Sequence, residues 1–185
     1  MPRKADERLE SRIIDAAYRL WSRGGEQALT MRAVASAAKT TTPTMYERFK
    51  DKRDLIEFLR ERSRQRIFAA LQPAKTAMDV CRLGLAFVLE AGNEYILFSA
   101  DLGERLGRNV PTPSFDFLKE KLAREIGGSA EEHAKLALAL ILQLHGTAIM
   151  LKAKGVKPEV SRQLQEICLE ACASLIEKAR RDATE

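Results

Sequence analysis

The 185 residues predict an all-α fold, on three observations. Every long segment spaces its apolar residues with helical period. No run alternates apolar and polar residues over a strand's length between hairpin turns, and Gly and Pro punctuate the chain into helix-sized pieces. The expected architecture is an N-terminal three-helix unit holding a helix-turn-helix, followed by a larger helical domain.

The first helix is expected over residues 6–23. Leu9, Ile13, Ala16, Ala17 and Leu20 fall on one stripe at about 100° per residue, which is a core-facing seam. Gly24 and Gly25 end it. Arg8, Arg12, Arg19 and Arg23 lie beside that seam, facing phosphates or water. Thr30 is a good N-cap for a short helix over 31–38, whose Val34, Ala35 and Ala38 are apolar. After the polar break from Lys39 to Thr42 comes Pro43. Proline is favoured at a first helical position, where its missing N–H would be an orphan anyway, so Thr42 is expected to cap a third helix over 43–49. A fourth runs from about Asp51 or Lys52 to Leu71, with Leu55, Ile56, Leu59, Ile67 and Leu71 inward and Gln72 and Pro73 closing it. Further helices are expected over 77–93, 94–106, 114–126, 130–154 and 159–181.

Apolar residues make up 45% of the chain and charged residues 31%, which excludes disordered and collagen-like classes. The longest uncharged stretch, residues 136–151, falls short of the roughly 20 residues that cross a bilayer, and Met1 to Arg12 holds no apolar run of a secretion signal. A cytoplasmic protein with no membrane partner is expected. Cys81, Cys168 and Cys172 then read as reduced thiols. The chain carries net charge +5, and the excess is local. Residues 1–66 hold 16 basic against 10 acidic side chains, whereas 67–185 hold 15 against 16. Such asymmetry is the electrostatic footprint of a segment that faces a polyanion.

Two short helices joined by a polar turn, inside a basic three-helix unit, form a helix-turn-helix whose second helix can lie in a major groove. Small hydroxyl side chains and free N–H groups at a helix N-terminus suit phosphates, and Thr41, Thr42 and Thr44 supply the hydroxyls. Tyr46 adds a phenol on the same helix, Arg48 can reach a phosphate or a guanine edge, and Lys52 opens the next helix. Met45 and Phe49, at i and i+4, anchor the inner face.

The runs Leu29-Thr30-Met31-Arg32, Thr42-Pro43-Thr44-Met45-Tyr46 and Lys50-Asp51-Lys52-Arg53-Asp54-Leu55 resemble the tetracycline-repressor-like (TetR) transcriptional regulators over about residues 9–60. The resemblance implies that Thr30, Arg32, Thr42, Pro43, Thr44, Tyr46, Arg48 and Lys52 touch DNA, hydroxyls and lysine mostly on phosphates. Three positions depart from the family pattern. Lys39 stands where the turn usually has Gly, Thr40 where a buried Val usually follows, and Arg48 where an aromatic often precedes Phe49.

The rest of the chain supplies dimer and pocket candidates. The helix over 136–151 is apolar nearly all round and needs cover on most sides. With Leu164, Ile167, Cys168, Ala171 and Leu175 of the last helix it suits an isologous homodimer interface. In a TetR-like fold, Met78, Cys81, Phe87, Tyr95, Phe98 and Phe115 would line the cavity of a small apolar or amphipathic effector. Glu90, Asn93, Glu94, Gln143, His145 and Thr147 are polar candidates for orienting it, and Glu90 with Glu94, at i and i+4, could greet a cation but reads rather as a solvated face. Ordinary core has the same composition. No metal-ligand spacing, cofactor motif or catalytic constellation is present in the sequence. The expected domains are residues 1–52 for DNA binding, linked by helix 51–71, and 53–185 for effector binding and dimerisation. The expected function is a sequence-specific DNA-binding regulator, a repressor released from a double-stranded operator by its effector. The alternative is a DNA-binding adaptor whose C-terminal domain holds a protein partner.

Overall fold

The computed structural model of the protein describes residues 4–91, 94–108, 110–153 and 155–184, and the side chains of all of these except 4–6, 95–100 and 106. Among them every secondary-structure element is a helix or a 3-10 turn, in the order α1 (Lys4–Ala28), α2 (Met31–Ala37), α3 (Thr42–Tyr46), α4 (Lys52–Leu71), α5 (Ala77–Glu90), α6 (Glu94–Gly107), α7 (Pro113–Ile126), a short 3-10 turn (Glu131–His133), α8 (Ala134–Leu151) and α9 (Pro158–Asp182). The chain divides into two units, one of residues 1–63 with 93–101, the other of 64–92 with 102–185.

The first unit is built on the α1 seam. Ile13, Ala16 and Ala17 are fully buried and meet Val34 and Ala35 of α2, Met45 of α3, Phe49, and Leu55 and Leu59 of α4. Leu9 and Leu20 close its margin. Each large side chain buried here contributes about 1.5–3 kcal/mol. At the expected break, Gly25 takes φ 60°, ψ −151°, a conformation that a residue with a Cβ avoids, and one last turn to Ala28 follows.

The turns are set by caps. Thr30 Oγ1 accepts from the Ala33 N–H at 3.1 Å and starts α2. α2 ends in a Schellman motif: the Thr40 N–H donates to the Ala35 carbonyl at 2.9 Å and the Lys39 N–H to the Ser36 carbonyl at 3.2 Å. The motif needs a left-handed residue at its turn, and Lys39 provides it at φ 54°. α3 corrects the expected cap by one residue. It begins at Thr42, with Pro43 as its second residue, because Thr41 Oγ1 accepts the Thr44 N–H at 3.3 Å.

One buried polar chain also belongs to this unit. The Tyr18 hydroxyl lies 3.0 Å from Ser63 Oγ, which donates to Glu94 Oε1 at 3.0 Å. Glu94 is therefore buried, not on the solvated face expected from its spacing with Glu90. Burial without these partners would cost about 1–3 kcal/mol or more.

In the second unit α8 packs against α5, α7 and α9. α5 opens with a capping box in which Thr76 Oγ1 accepts the Asp79 N–H and Asp79 Oδ2 accepts the Thr76 N–H, both at 3.0 Å. That bonding, the Thr76 side chain first, holds the Asp79 carboxyl below its ordinary pKa. Ala137, Leu140, Leu144 and Ala148 carry the buried face of α8, opposite Cys168, Cys172 and Ile176 of α9. The expected 130–154 helix is thus a 3-10 turn plus α8. Together these span 21 residues and contain an 18-residue window of mean hydropathy 1.6, long and apolar enough by length and composition to cross a membrane, which the uncharged stretch alone was not.

Candidate nucleic-acid interface

Unit 1 presents α3 with one face in and one face out. Met45 is fully buried and Phe49 nearly so, while Tyr46, their neighbour in sequence, is 55% exposed. The helical period forces this split once Met45 faces the core. Thr41 and Pro43 are exposed beside Tyr46, and Thr42, Thr44 and Arg48 are half-buried. Thr30 and Arg32 of the preceding segment are exposed as well. The outer side of the helix-turn-helix is thus a run of hydroxyls with basic side chains beside it, and no large aliphatic side chain intrudes.

Backbone N–H groups contribute less than the sequence implied. α3 has five residues, its second residue is Pro43, which carries no N–H, and the Thr44 N–H is taken by Thr41. Side chains must do the binding. Thr41 Oγ1 and Thr44 Oγ1 share a hydrogen bond at 2.9 Å, so one hydroxyl proton of the pair can turn to a phosphate oxygen. Lys52 Nζ sits 3.5 Å from Glu26 Oε1, both partly exposed. An exposed pair of this kind is worth about 0–1 kcal/mol, so a phosphate can take the lysine from it.

The other candidates lie in unit 2, where Glu90 is exposed, except Glu94, Tyr95 and Phe98, which fall in unit 1; the side chains of Tyr95 and Phe98 are outside the described residues, as is Asn93. Met78 and Phe115 each line a surface hollow, but two different ones, of about 540 and 440 Å³. Cys81 has no exposed surface and cannot touch a ligand; its hydrogen bond with Cys172, and burial, push its thiol pKa up. Phe87 and Thr147 are buried, and the Arg66 guanidinium lies 5.7 Å above the Phe87 ring centre. Gln143 and His145 are half-buried, and burial lowers the His145 pKa.

Of the expected dimer residues, Ile167 and Leu175 are exposed and Leu164 and Ala171 half-buried. Cys168 is a correction. It is fully buried, its thiol pointing to the Gln143 carbonyl at 3.8 Å, so it belongs to the core of its own unit. What the candidate residues omitted is the outer face of α8, where Leu142 is 62% and Ile149 67% exposed, with Leu138 and Met150 beside them. Its signal was the helix that is apolar all round.

Residues 13–59 match the family model described as bacterial regulatory proteins, tetR family. A comparison with curated protein sequences gives no match. Among solved structures, the chain is similar to a TetR-like transcriptional regulator from Rhodococcus sp. RHA1, with TM-score 0.67 and 18% identity over 96% of this chain and 97% of that one. It is also similar to a TetR-family transcriptional regulator from Haemophilus influenzae RD (TM-score 0.59, 23% identity, 91% and 98% covered) and to a TetR from Streptomyces coelicolor (0.60, 21%, 92% and 97%).

Proposed function

From a chain whose residues 13–59 match the family model of bacterial regulatory proteins, tetR family, and whose fold is similar to that of TetR-like regulators over most of its length, we propose a cytoplasmic, homodimeric DNA-binding repressor that a small-molecule effector releases from its operator. The observation that carries this reading is the two-faced α3, with Met45 locked in the core and Tyr46 exposed, and with Arg32, Thr41 and Pro43 exposed on the same helix-turn-helix. Tyr46, Arg32 and Arg48 are assigned to the DNA, Arg48 to a phosphate or base edge, with Pro43 against the duplex. Thr30, Thr41, Thr42, Thr44 and Lys52 are assigned to phosphates. The exposed arginines of α1 add to the positive field that draws the duplex in.

Dimerisation supplies the second requirement, because two recognition helices about 34–36 Å apart read half-sites one helical turn apart. The outer face of α8, with Ile167 and Leu175 of α9, is the surface for it. A large exposed apolar face is rare on a soluble monomer. Residues 1–52, continued by α4, bind DNA, and 53–185 bind effector and partner subunit. Effector binding would favour a dimer geometry that no longer fits the operator.

The test is selection of bound sequences from random DNA, followed by titration of the Tyr46→Ala, Lys52→Ala double variant. A palindrome with half-sites at one-turn spacing and an affinity loss for the variant is expected. Unchanged affinity overturns the assignment. The same α8 face would also seat a different protein, as an adaptor would need. Sedimentation of the pure protein decides between the two, a dimer supporting self-association and a monomer the adaptor.

A further inference from the structure

Lys119 on α7 is a buried lysine that the DNA interface does not use. It is 6% exposed, with Nζ 2.5 Å from Glu131 Oε1, 3.1 Å from Asp116 Oδ1 and 5.2 Å from the centre of the Phe115 ring. It lies at the wall of a hollow of about 440 Å³ whose apolar lining includes Val110, Pro111, Phe115 and Leu138. Lys135 is the other cation there.

The two carboxylates that hold Lys119 are unlike. Asp116 is tied down, since its Oδ2 accepts the Thr112 N–H at 3.2 Å. Glu131 stands on the 3-10 turn with its side chain 81% exposed, so its carboxylate can turn to water while Asp116 stays paired with the lysine. The hydrogen bond with Glu131, then those with Asp116, keep the lysine above its ordinary pKa and hence charged. A ligand carboxylate that replaces Glu131 would inherit a desolvated cation, with an aromatic ring and aliphatic walls for the ligand's apolar body.

We propose that this hollow is a binding site for a small amphipathic carboxylate, with Lys119 as its anchor and Glu131 as a displaceable stand-in for the ligand's own carboxylate. This rests on the effector reading and gives the effector a chemical class. Leu138, at the hollow's edge, belongs to the exposed α8 face assigned to the dimer, so occupancy bears on the subunit contact.

The probes are 2-naphthoate and its neutral twin 2-naphthylmethanol, titrated into the full-length protein by calorimetry. The wild type should bind the carboxylate at least about tenfold more tightly, the factor a charged hydrogen bond supplies. Lys119→Met should erase that preference, and Glu131→Gln, an exposed change that leaves the fold intact, should tighten 2-naphthoate several-fold. No binding, equal binding of the two probes, or a preference that survives Lys119→Met overturns the site. Release of selected operator DNA is read in parallel. Binding without release leaves the site standing and sinks the effector reading, whereas release by a compound of another class, with no naphthoate bound, sinks the site alone.

Discussion

Lys39→Gly should stabilise the first unit, and the amount follows from one dihedral angle. Lys39 holds φ 54° at the left-handed position of the Schellman motif that ends α2. A residue with a Cβ is strained there by about 1–2 kcal/mol. Glycine removes that strain but loses about 0.5–1 kcal/mol more backbone entropy on folding. The net gain is about 0.5–1 kcal/mol, or about 2 °C in Tm for a chain of this length. Trp21, the single tryptophan, is buried in the core of this unit, so its fluorescence during urea unfolding reads the relevant transition. Lys39→Ala is the control, since it removes the same charge and keeps the strain. A gain with Gly and none with Ala is expected. An equal gain with both would mean that charge, not backbone, sets the energy, and a loss with Gly would refute the reasoning.

Met45→Ala empties a fully buried site beneath α3 and should cost about 2–5 kcal/mol in the same unfolding experiment. Because that cavity would loosen the helix that carries Tyr46, DNA affinity should fall with it. Ile149→Asp places a charge on the exposed face of α8 and should convert a dimer into a monomer in sedimentation, with the helical circular dichroism of the monomer unchanged. Asp79 titrates below its ordinary value in the folded chain. The capping box is therefore fully formed above the unfolded pKa of about 3.9 and is lost as pH falls through the lower folded value. Asp79→Asn should weaken the acid-side slope of stability below about pH 4 while the slope near neutrality stays as it is.

How far the sequence could be read depended on how far apart the interacting residues are. The helix-turn-helix was legible because its determinants are local: a cap at Thr30, a break at Gly24 and Gly25, and Met45 and Phe49 one turn apart. Two slips occur there: the third helix ends at Tyr46 and not at Phe49, and Thr41 serves as cap in place of the expected Thr42, which has a local cause too. A proline fits the first or second helical residue equally well, and only the hydrogen bond from the Thr44 N–H to Thr41 chooses between them. On α9 the periodicity defined a wide apolar stripe but not which edge turns inward. Cys168, Cys172 and Ile176, spaced by four, took the core, and Ile167 and Leu175 stayed outside.

Buried polar groups were out of reach altogether, because their partners are distant in sequence. Glu94 looked solvated beside Glu90 until Ser63, 31 residues earlier, proved to donate to it. Nothing in the sequence singles out Lys119, and only the fold brings Glu131, 12 residues later, to its ammonium group. A pattern of apolar spacing places such residues on the outside by default, since burying an unpaired charge costs far more than burying a methylene. At Glu94 the Ser63 hydroxyl that donates is itself fully buried, whereas at Lys119 one partner is an exposed side chain beside an open hollow. That difference separates a structural bond from a replaceable one, and it singles out Lys119 as the binding position.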